Sequence, residues 1–238
     1  MKWACGVCTV PQRMYDLLPQ TLASLKLAGF SDIRLFVDHC ADPKEHVPMA
    51  KGVTNRWPRI GSYGNWMLGM TELFLRAPDA DRYVMFEDDV VLCRNTRNYV
   101  EACKFPTGGY LNLYTVPDNV EAGQTAGWTR SAQKGRGALA LAFDRDGVRA
   151  ILTSARCVSH SESKQRGHYL TDGAILDAMR KVGVREWVHV PSLVQHTGAE
   201  TTIPNRLAPT RAEYMTAPTF PGESFDAMEF LNAASTTL

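Results

Sequence analysis

Three consecutive carboxylates, Glu87, Asp88 and Asp89, interrupt the otherwise apolar stretch RYVMFEDDVVLC at residues 82–93. The aromatic, aliphatic and β-branched residues around them are typical of a strand that is buried on both faces. Neighbouring ionised carboxylates repel one another and lose hydration when they are buried. They are tolerated at a strand end that faces a cleft or around a cation, and a surface turn is the alternative. Because the apolar pattern resumes at Val90, we favour the cleft.

Carboxylate oxygens are the ligands that hard divalent cations such as Mg²⁺ and Mn²⁺ prefer. In an extended chain, Glu87 and Asp89 point to one face and Asp88 points to the other. One face would then hold a metal while the neighbouring carboxylate contacts a ribose or a base. A metal in this position bridges a diphosphate and neutralises the charge that builds up on it as it leaves. The acidic cluster therefore indicates displacement of a diphosphate as the reaction class.

Hydrophobic periodicity predicts the elements that must position this cluster. Strands are predicted at Lys2–Thr9, Ile33–Val37, Arg82–Phe86, Tyr110–Thr115, Ala138–Phe143 and Glu186–Val190, and helices at Leu17–Ala28, Asn65–Arg76, Asp144–Ser154 and Asp172–Val182. His39–Ile60 has no steady period and is predicted to be a loop, and Pro117–Gly137 is predicted to be a mobile active-site loop. The initial order β-α-β-loop-α-β predicts an α/β domain with a parallel sheet covered by helices.

Polar residues follow three of the predicted strands, at Thr9–Arg13, at Asp38 and at Glu87–Asp89. Parallel sheets bind ligands beyond the carboxyl ends of their strands, so these residues predict a nucleotide-type pocket at one edge. The sequence contains no P-loop GxxxxGK[ST], and no GxGxxG follows the first strand. The stretch GSYGNW at 61–66 opens a helix, where the backbone amides either meet an anion or form a simple capped turn.

The composition is that of an ordinary globular protein, with 238 residues, 45% hydrophobic and 21% charged, and a formal net charge of +1. This length suffices for one large α/β domain or two small ones, and the charge balance gives no global sign of a polyanionic partner. Charge is uneven, however, because Thr129–Arg185 contains 11 Lys and Arg against 5 Asp and Glu. Such a basic region either contacts phosphates or forms a solvated face.

Six cysteines are present, and Cys5 and Cys8 form a C-x-x-C pair that raises the question of zinc or redox chemistry. Both lie in the first predicted strand, where residues three apart point to opposite faces, and no second pair completes a zinc site. We therefore predict buried, reduced thiols. Since the sequence has no signal peptide and no stretch of about 18 apolar residues, we expect a soluble protein of the cytoplasm, or of the host cytoplasm if the source is viral.

Within residues 1–198, six segments follow one another: TVPQR, FVD, EDD, GALALAFDRDG, LTDGAILDAM and VPSLVQH. In this order they resemble the segments of a metal-dependent glycosyltransferase with the GT-A fold, of bacterial or phage type. The resemblance implies a GT-A-like (Rossmann-like) mixed sheet, mostly parallel, with helices on both faces. It implies one catalytic domain at 1–203, divided at about residue 105 into a nucleotide-binding and an acceptor-binding part. Residues 204–238 are expected to form a tail packed on this domain.

The resemblance assigns the strand ends to a nucleotide-sugar donor and a divalent metal, Mn²⁺ or Mg²⁺. Residues that match the nucleotide-sugar site are Thr9, Pro11, Arg13, Asp38, Gly64, Asn65, Glu87 and Asp88, and residues that match the metal site are Asp89, His196 and Glu87. The acidic motif of the family is usually D-x-D, so Glu87 is a departure that leaves its role open. For His196, a buried and hydrogen-bonded imidazole is the alternative.

The segment LTDGAIL places Asp172 at a helix start, where the resemblance puts the catalytic acidic residue of inverting enzymes. As general base, Asp172 would take the proton of the acceptor hydroxyl while that oxygen attacks the anomeric carbon. An N-cap is the alternative role. Trp128, Arg130 and Arg136 are the expected acceptor-binding residues, since Trp stacks on a sugar or base and Arg neutralises phosphates. A hydrophobic plug is the alternative for Trp128.

The expected activity is transfer of a sugar from a nucleotide sugar, most simply a UDP-sugar, to a hydroxyl acceptor. Two acceptors stay open: a lipopolysaccharide or capsule precursor, and a 5-hydroxymethylated pyrimidine in phage DNA. The basic region and Trp128 slightly favour such DNA modification. A nucleotidyltransferase of similar fold and a non-catalytic carbohydrate or nucleic-acid binding module are the rival interpretations. No membrane span is expected, and the oligomeric state is open.

Overall fold

The computed structural model describes residues 1–40, 52–121, 126–158, 171–198 and 216–231. The strands in these ranges are β1 (Trp3–Thr9), β2 (Arg34–Asp38), β3 (Gly52–Arg56), β4 (Arg82–Glu87), β5 (Val90–Leu92), β6 (Gly109–Asn112), β7 (Gly127–Arg130), β8 (Ala140–Asp144), β9 (Arg185–Val190) and β10 (Val194–His196). The helices are α1 (Leu17–Leu27), α2 (Gly61–Arg76), α3 (Thr96–Ala102), α4 (Arg145–Thr153), α5 (Ala155–Val158) and α6 (Thr171–Lys181). Short 3-10 turns lie at Pro11–Arg13 and Pro117–Asn119.

Eight strands form one mixed sheet in the order β3-β2-β1-β4-β8-β6-β9-β7. Strands β1 to β4 are parallel, and β6 and β9 run in the same direction, whereas β8 and β7 are antiparallel to their neighbours. Strands β5 and β10 pair as a separate two-stranded ribbon. The carboxyl ends of β1, β2, β3, β4, β6 and β9 therefore meet at one edge, and the expected mixed, mostly parallel sheet is confirmed.

Alternating side chains build an apolar core on each face of this sheet. From β4, Val84 and Phe86 enter the core covered by α1, α3 and residues 216–231, whereas Tyr83 and Met85 enter the core covered by α2, α4 and α6. Helices cover both faces because the central strands are apolar on both sides.

Two edge strands lie inside segments that the sequence predicts as loops. Strand β3 falls within His39–Ile60 and β7 within Pro117–Gly137, so both loop predictions are wrong in these parts. Each strand pairs on one side only and most of its residues are half-buried, so neither shows the apolar run of a central strand. The apolar residues Val90–Leu92 do not extend β4 but form β5 in the ribbon. Helix α3 was also missed by the periodicity.

Cys5 and Cys8 point into different cores, as the alternation along β1 predicts. All six cysteines are free. Burial raises the pKa of the Cys5 thiol to about 12, so this thiol is protonated at neutral pH. The C-x-x-C pair is therefore part of the packing on two faces of one strand.

The described part of the C-terminal region packs on the domain. Ala217 and Ala227 are buried in the core that α1 covers. The backbone of Arg94 bonds to both sides of this region, since its N–H donates to Phe225 and its carbonyl accepts from Ala227, each at 2.9 Å. The remaining parts of the expected tail, 204–215 and 232–238, lie outside the described residues. Among the helices that the structure describes, none has the length and apolar composition needed to cross a membrane.

Helix α2 approaches the sheet closely at Gly69. A Cβ at Gly69 would lie 2.8 Å from Cδ2 of Phe36 and 3.0 Å from Cε of Met85. For a Cβ at Gly64, in the first turn of the same helix, the three nearest atoms all belong to Ile60, at 3.4–3.6 Å. The two glycines therefore differ in packing while they share a helical backbone.

We predict that Gly69→Ala lowers the free energy of unfolding and that Gly64→Ala raises it by up to about 1 kcal/mol, because Ala is the better helix former. Forcing a methyl group into a filled core costs about 1–3 kcal/mol. The two variants should therefore differ by about 1–3 kcal/mol in urea denaturation. Equal stabilisation by both substitutions would show that α2 does not pack tightly on Phe36.

The imidazole of His189 is fully buried against the rings of Tyr99, Trp128 and Phe230. Nδ1 donates to the carbonyl of Pro191 at 2.6 Å, so Nε2 is unprotonated and accepts from the Tyr99 hydroxyl at 2.7 Å. Burial lowers the pKa of His189 from 6.5 to about 4. The fold therefore contains the neutral imidazole, whereas the unfolded chain takes up a proton below about pH 6.5.

Because the folded state resists this protonation, the contribution of His189 to stability is complete above pH 6.5 and is lost as the pH falls towards 4. The shift corresponds to a loss of about 3 kcal/mol. We predict that His189→Gln removes this part of the acid destabilisation, measured as unfolding free energies at pH 7 and pH 4. His39→Gln, which changes an exposed histidine, is the control and should leave the slope as in the wild type.

Candidate active site

The carboxyl ends of the parallel strands lie at one edge of the sheet. The beginning of β8 lies at the same edge, because β8 runs antiparallel to β4 and β6. The backbone N–H of Glu87, the last residue of β4, donates at 2.9 Å to the carbonyl of Leu139, the residue before β8. Residues that follow β1, β2 and β4 and residues that precede β8 are thus neighbours. Sheets of this kind bind ligands at such an edge.

Arg13 lies at the centre of the acidic cluster. The 3-10 turn that begins at Pro11 carries it, and its Nη1 donates to Asp88 Oδ1 at 2.6 Å and also to Asp89 Oδ2. Thr9 Oγ1 donates to Asp88 Oδ2 at 2.5 Å. Both carboxylates and the guanidinium are buried, so one internal positive charge compensates part of two negative charges. Burial raises the pKa of Asp88, although the charge of Arg13 opposes this shift.

Asp88 and Asp89 do not point to opposite faces, so this prediction is wrong. Strand β4 ends at Glu87, and the chain bends at the next two residues. Side chains alternate only along an extended chain, and the bend lets both carboxylates reach the same guanidinium nitrogen. Thr21 of α1 holds the bend, because its hydroxyl donates to the Asp88 carbonyl at 2.8 Å and accepts the N–H of Val90 at 3.1 Å.

Asp89 also contacts His196 at the end of β10, with 3.1 Å between Oδ2 and Nε2. The backbone at Gly198, two residues after His196, also approaches this carboxylate closely, since a Cβ on Gly198 would lie 2.6 Å from Oδ2. The other oxygen, Oδ1, is buried and has no hydrogen-bond partner among the described residues. Burial raises the pKa of Asp89, but the hydrogen bond with His196 and the charge of Arg13 outweigh burial and lower it overall.

The Asp89–His196 pair fits a hard divalent cation. Mg²⁺-type sites often use one or two protein side chains and complete the shell with phosphate oxygens and water. Asp89 offers an oxygen that no described residue bonds to, and His196 offers a ring nitrogen close to the same carboxylate. In the described ranges, no group of three His, Cys, Asp or Glu residues is arranged to hold a metal. Glu87, the expected third ligand, lies opposite Cys8 of β1 and does not complete such a group.

Asp38, at the end of β2, caps helix α2. Its carboxylate oxygens accept the N–H groups of Ile60 and Gly61, each at 2.9 Å, and the residue is buried. Asn65 is buried as well, and its Nδ2 donates to the carbonyl of Phe36 at 2.7 Å. The side chains of Asp38 and Asn65, which we expected to contact the nucleotide, therefore bond to the protein itself. The first amides of α2 face Asp38 instead of an external anion.

Asp172, in the first turn of α6, reaches the edge where the acidic cluster lies. Its Oδ2 accepts the N–H of Gly137 and its Oδ1 the N–H of Gly173, each at 2.9 Å. Gly137 is two residues before Leu139, whose carbonyl bonds to the end of β4. The carboxylate is half-buried. The structure thus brings Asp172 to the same edge as Asp89.

Sequence reasoning missed Glu186, a buried acid in β9 that bonds to Ser131 in the segment between β7 and Gly137. Its carboxylate accepts from Ser131 at 2.6 Å, Asn112 at 3.2 Å and Tyr110 at 3.3 Å. Burial raises the pKa of Glu186, and the nearby charge of Asp172 raises it further. A charged residue inside the apolar strand pattern REWVHV was the signal that could have identified it.

Trp128 does not join the cluster. It lies in β7, four strand positions from β4, which is about 19 Å at the usual strand spacing. Its ring packs edge-on against His189, with 5.1 Å between the ring centroids. With Trp187, it lines a shallow groove of about 280 Å³ at the edge of the sheet.

The predicted basic acceptor contacts are divided. Arg136, the residue before Gly137, pairs with Asp118 at 2.9 Å, and Lys134, another cation of the basic region, pairs with the same carboxylate at 3.0 Å. Arg130 is exposed at the end of the edge strand β7. Arg136, which was expected to face an acceptor phosphate, is therefore partly neutralised by Asp118, although its side chain is still 39% exposed.

The fold is similar to that of two solved glycosyltransferases of the GT-A type. GalNAc-T7, solved with UDP, GalNAc and Mn²⁺, superposes with a TM-score of 0.57 at 11% identity, covering 82% of this chain and 44% of that chain. TarS from S. aureus superposes with a TM-score of 0.54 at 11% identity, covering 84% and 37%. By sequence, the chain matches no protein-family model and no curated protein.

The chain therefore has a GT-A-like fold, the fold of nucleotide-sugar enzymes. It spans less than half the length of either solved protein. At this level of identity the likeness establishes the fold, and the reaction has to be argued from the residues at the edge.

We predict that Asp38→Asn destabilises the protein by about 1–2 kcal/mol, because an amide leaves one partly buried N–H at the start of α2 without its acceptor. The measurement is the urea midpoint of unfolding. Arg59→Gln is the control, since it removes a half-exposed guanidinium 3.9 Å from the same carboxylate and should cost less than about 1 kcal/mol. A neutral Asp38→Asn would mean that this side chain is available to a ligand.

Proposed function

We propose that the chain is a glycosyltransferase that moves a sugar from a nucleotide sugar, a UDP-sugar, to a hydroxyl acceptor with the help of Mn²⁺ or Mg²⁺. The observation that carries the proposal is the buried oxygen Asp89 Oδ1, which has no hydrogen-bond partner within the described part of the chain and lies beside His196 at the edge where the strands end. A buried carboxylate oxygen without a hydrogen bond is costly, and a cation is the partner that suits it. The GT-A-like fold supports the nucleotide sugar as donor.

In this proposal Asp89 and His196 hold the cation, which supplies positive charge to the leaving diphosphate. Arg13 adds a second cation at the same place, and a guanidinium matches phosphate oxygens in shape and charge. Thr9 keeps the neighbouring carboxylate of Asp88 in position. The turn after β1 and the bend after β4 thus bind and orient the diphosphate end of the donor.

Asp172 is the proposed general base, and the transfer inverts the anomeric configuration. The amides of Gly137 and Gly173 fix the orientation of its carboxylate, which is a requirement for taking a proton from a positioned hydroxyl. As the acceptor oxygen bonds to the anomeric carbon, the bond from that carbon to the diphosphate breaks and the proton passes to Asp172. A role as helix cap alone would leave turnover largely unchanged on substitution.

The proposed acceptor is a hydroxyl compound of one of two classes: a lipopolysaccharide or capsule precursor, or a hydroxymethylated pyrimidine in DNA. The structural support for DNA is weaker than the sequence suggested. Trp128 lies about four strand spacings from β4, and Lys134 and Arg136 pair with Asp118. A panel of both acceptors therefore decides this point.

We predict that nucleotide sugars stabilise the protein against heat only in the presence of Mn²⁺ or Mg²⁺, and that Asp89→Asn abolishes this stabilisation. Asp172→Asn should keep donor binding while the rate of sugar transfer falls by about 10²–10⁴. The readouts are thermal shift and release of nucleoside diphosphate. Asp146→Asn changes a carboxylate that is 87% exposed on α4 and serves as the control.

Other outcomes separate the rival functions. Release of pyrophosphate from a nucleoside triphosphate would identify a nucleotidyltransferase. Ligand binding that survives both substitutions without any turnover would identify a binding module. Transfer with retention of the anomeric configuration, with Asp172→Asn fully active, would remove Asp172 from the mechanism.

A further inference from the structure

One nitrogen of Arg13 contacts both carboxylates of the acidic cluster. Nη1 lies 2.6 Å from Asp88 Oδ1 and also contacts Asp89 Oδ2, and all three side chains are 10% exposed or less. On Asp89, the same oxygen meets His196, so Oδ2 is shared by a guanidinium and an imidazole. An internal cation thus occupies one of the two oxygens of the carboxylate that the proposed metal would need.

A divalent cation held by Asp89 and His196 would be close to the guanidinium. Like charges repel strongly when they are buried, because little water screens them. The metal alone therefore meets two obstacles: repulsion by Arg13, and competition for Asp89 Oδ2. A diphosphate removes both, because it offers Arg13 an anionic partner with matching geometry and partly neutralises the metal.

We propose that Arg13 is a competing internal cation that keeps Asp89 from binding a divalent metal until a diphosphate arrives and draws the guanidinium away. This inference rests on the proposed function in one respect, that metal and diphosphate meet at this edge. Asp88 and the 3-10 turn retain Arg13 near the site throughout. Metal and diphosphate then bind cooperatively, and by thermodynamic linkage each raises the affinity of the other by the same factor.

A purely structural role for Arg13 makes the opposite prediction. If the ion pairs only kept Asp88 and Asp89 in position, loss of the guanidinium would disorder the carboxylates and weaken metal binding. If Arg13 competes with the metal, its loss strengthens binding of the metal alone. The sign of the change in metal affinity therefore distinguishes the two roles.

The experiment measures Mn²⁺ binding to the full chain by electron paramagnetic resonance of the free ion, with Mn²⁺ alone, with UDP and with inorganic pyrophosphate. For the wild type we expect UDP or pyrophosphate to tighten Mn²⁺ binding by about tenfold or more. In Arg13→Gln, Mn²⁺ alone should bind about tenfold more tightly than in the wild type, and the gain from pyrophosphate should fall below about threefold. Arg13→Lys keeps a cation and should stay close to the wild type.

Two further variants secure the interpretation. The first is the double variant Arg13→Gln with Asp88→Asn, which removes one charge of each sign. It replaces Arg13→Gln if circular dichroism shows that Arg13→Gln alone does not fold. Arg97→Gln breaks a salt bridge to Glu101 in α3 and should leave Mn²⁺ binding unchanged.

Two results would overturn the inference. If a folded Arg13 variant binds Mn²⁺ alone no more tightly than the wild type does, Arg13 does not compete, and the proposed function stands as long as UDP and Mn²⁺ still bind together. If neither the wild type nor the variants bind Mn²⁺ with UDP or pyrophosphate, the inference and the proposed function fail together.

Discussion

A buried ion pair at the end of β4 is the constraint on which the candidate site depends. Asp88 and Asp89 lie where the chain bends, and the guanidinium of Arg13 lies against both. Removing one member of a buried ion pair leaves an uncompensated charge and costs about 3–5 kcal/mol. Three separate parts of the chain support this pair: the turn after β1, the Thr21 hydroxyl of α1, and the β5/β10 ribbon with His196.

The direction of β8 decides which residues can act together. Because β8 is antiparallel to β4, its beginning meets the end of β4, and the bond between Glu87 and Leu139 joins the two. In an all-parallel sheet, the residues before this strand would lie at the opposite edge. The reversed strand therefore brings Gly137, and through it Asp172 of α6, to the acidic cluster. The proposed donor and acceptor chemistry shares one edge for this reason.

Much of the sheet and part of the site could be predicted from residue types. Strands β1 and β4 and helix α1 were predicted because their apolar residues recur with a clear period, which buried elements require. The half-buried edge strands β3 and β7 carry no such signal. Polar residues at strand ends were also identified, but Asp38 and Asn65 bond to amide and carbonyl groups of the protein. A sequence shows that such a group needs a partner and does not show which partner it takes.

By itself, the sequence determined that the three carboxylates Glu87–Asp89 lie at the end of an apolar strand. Adjacent charges repel one another and lose hydration on burial, so they are not tolerated within the buried part of a strand. The sequence also determined the two-sided burial of the central strands. Only the tertiary structure decided that Asp88 and Asp89 converge on Arg13 and that Trp128 lies far across the sheet. It also decided that one oxygen of Asp89 is buried without a hydrogen-bond partner among the residues that the structure describes. The physical reason is that these relations join residues that are distant along the chain. Bends and strand directions set such relations, and both depend on packing throughout the domain.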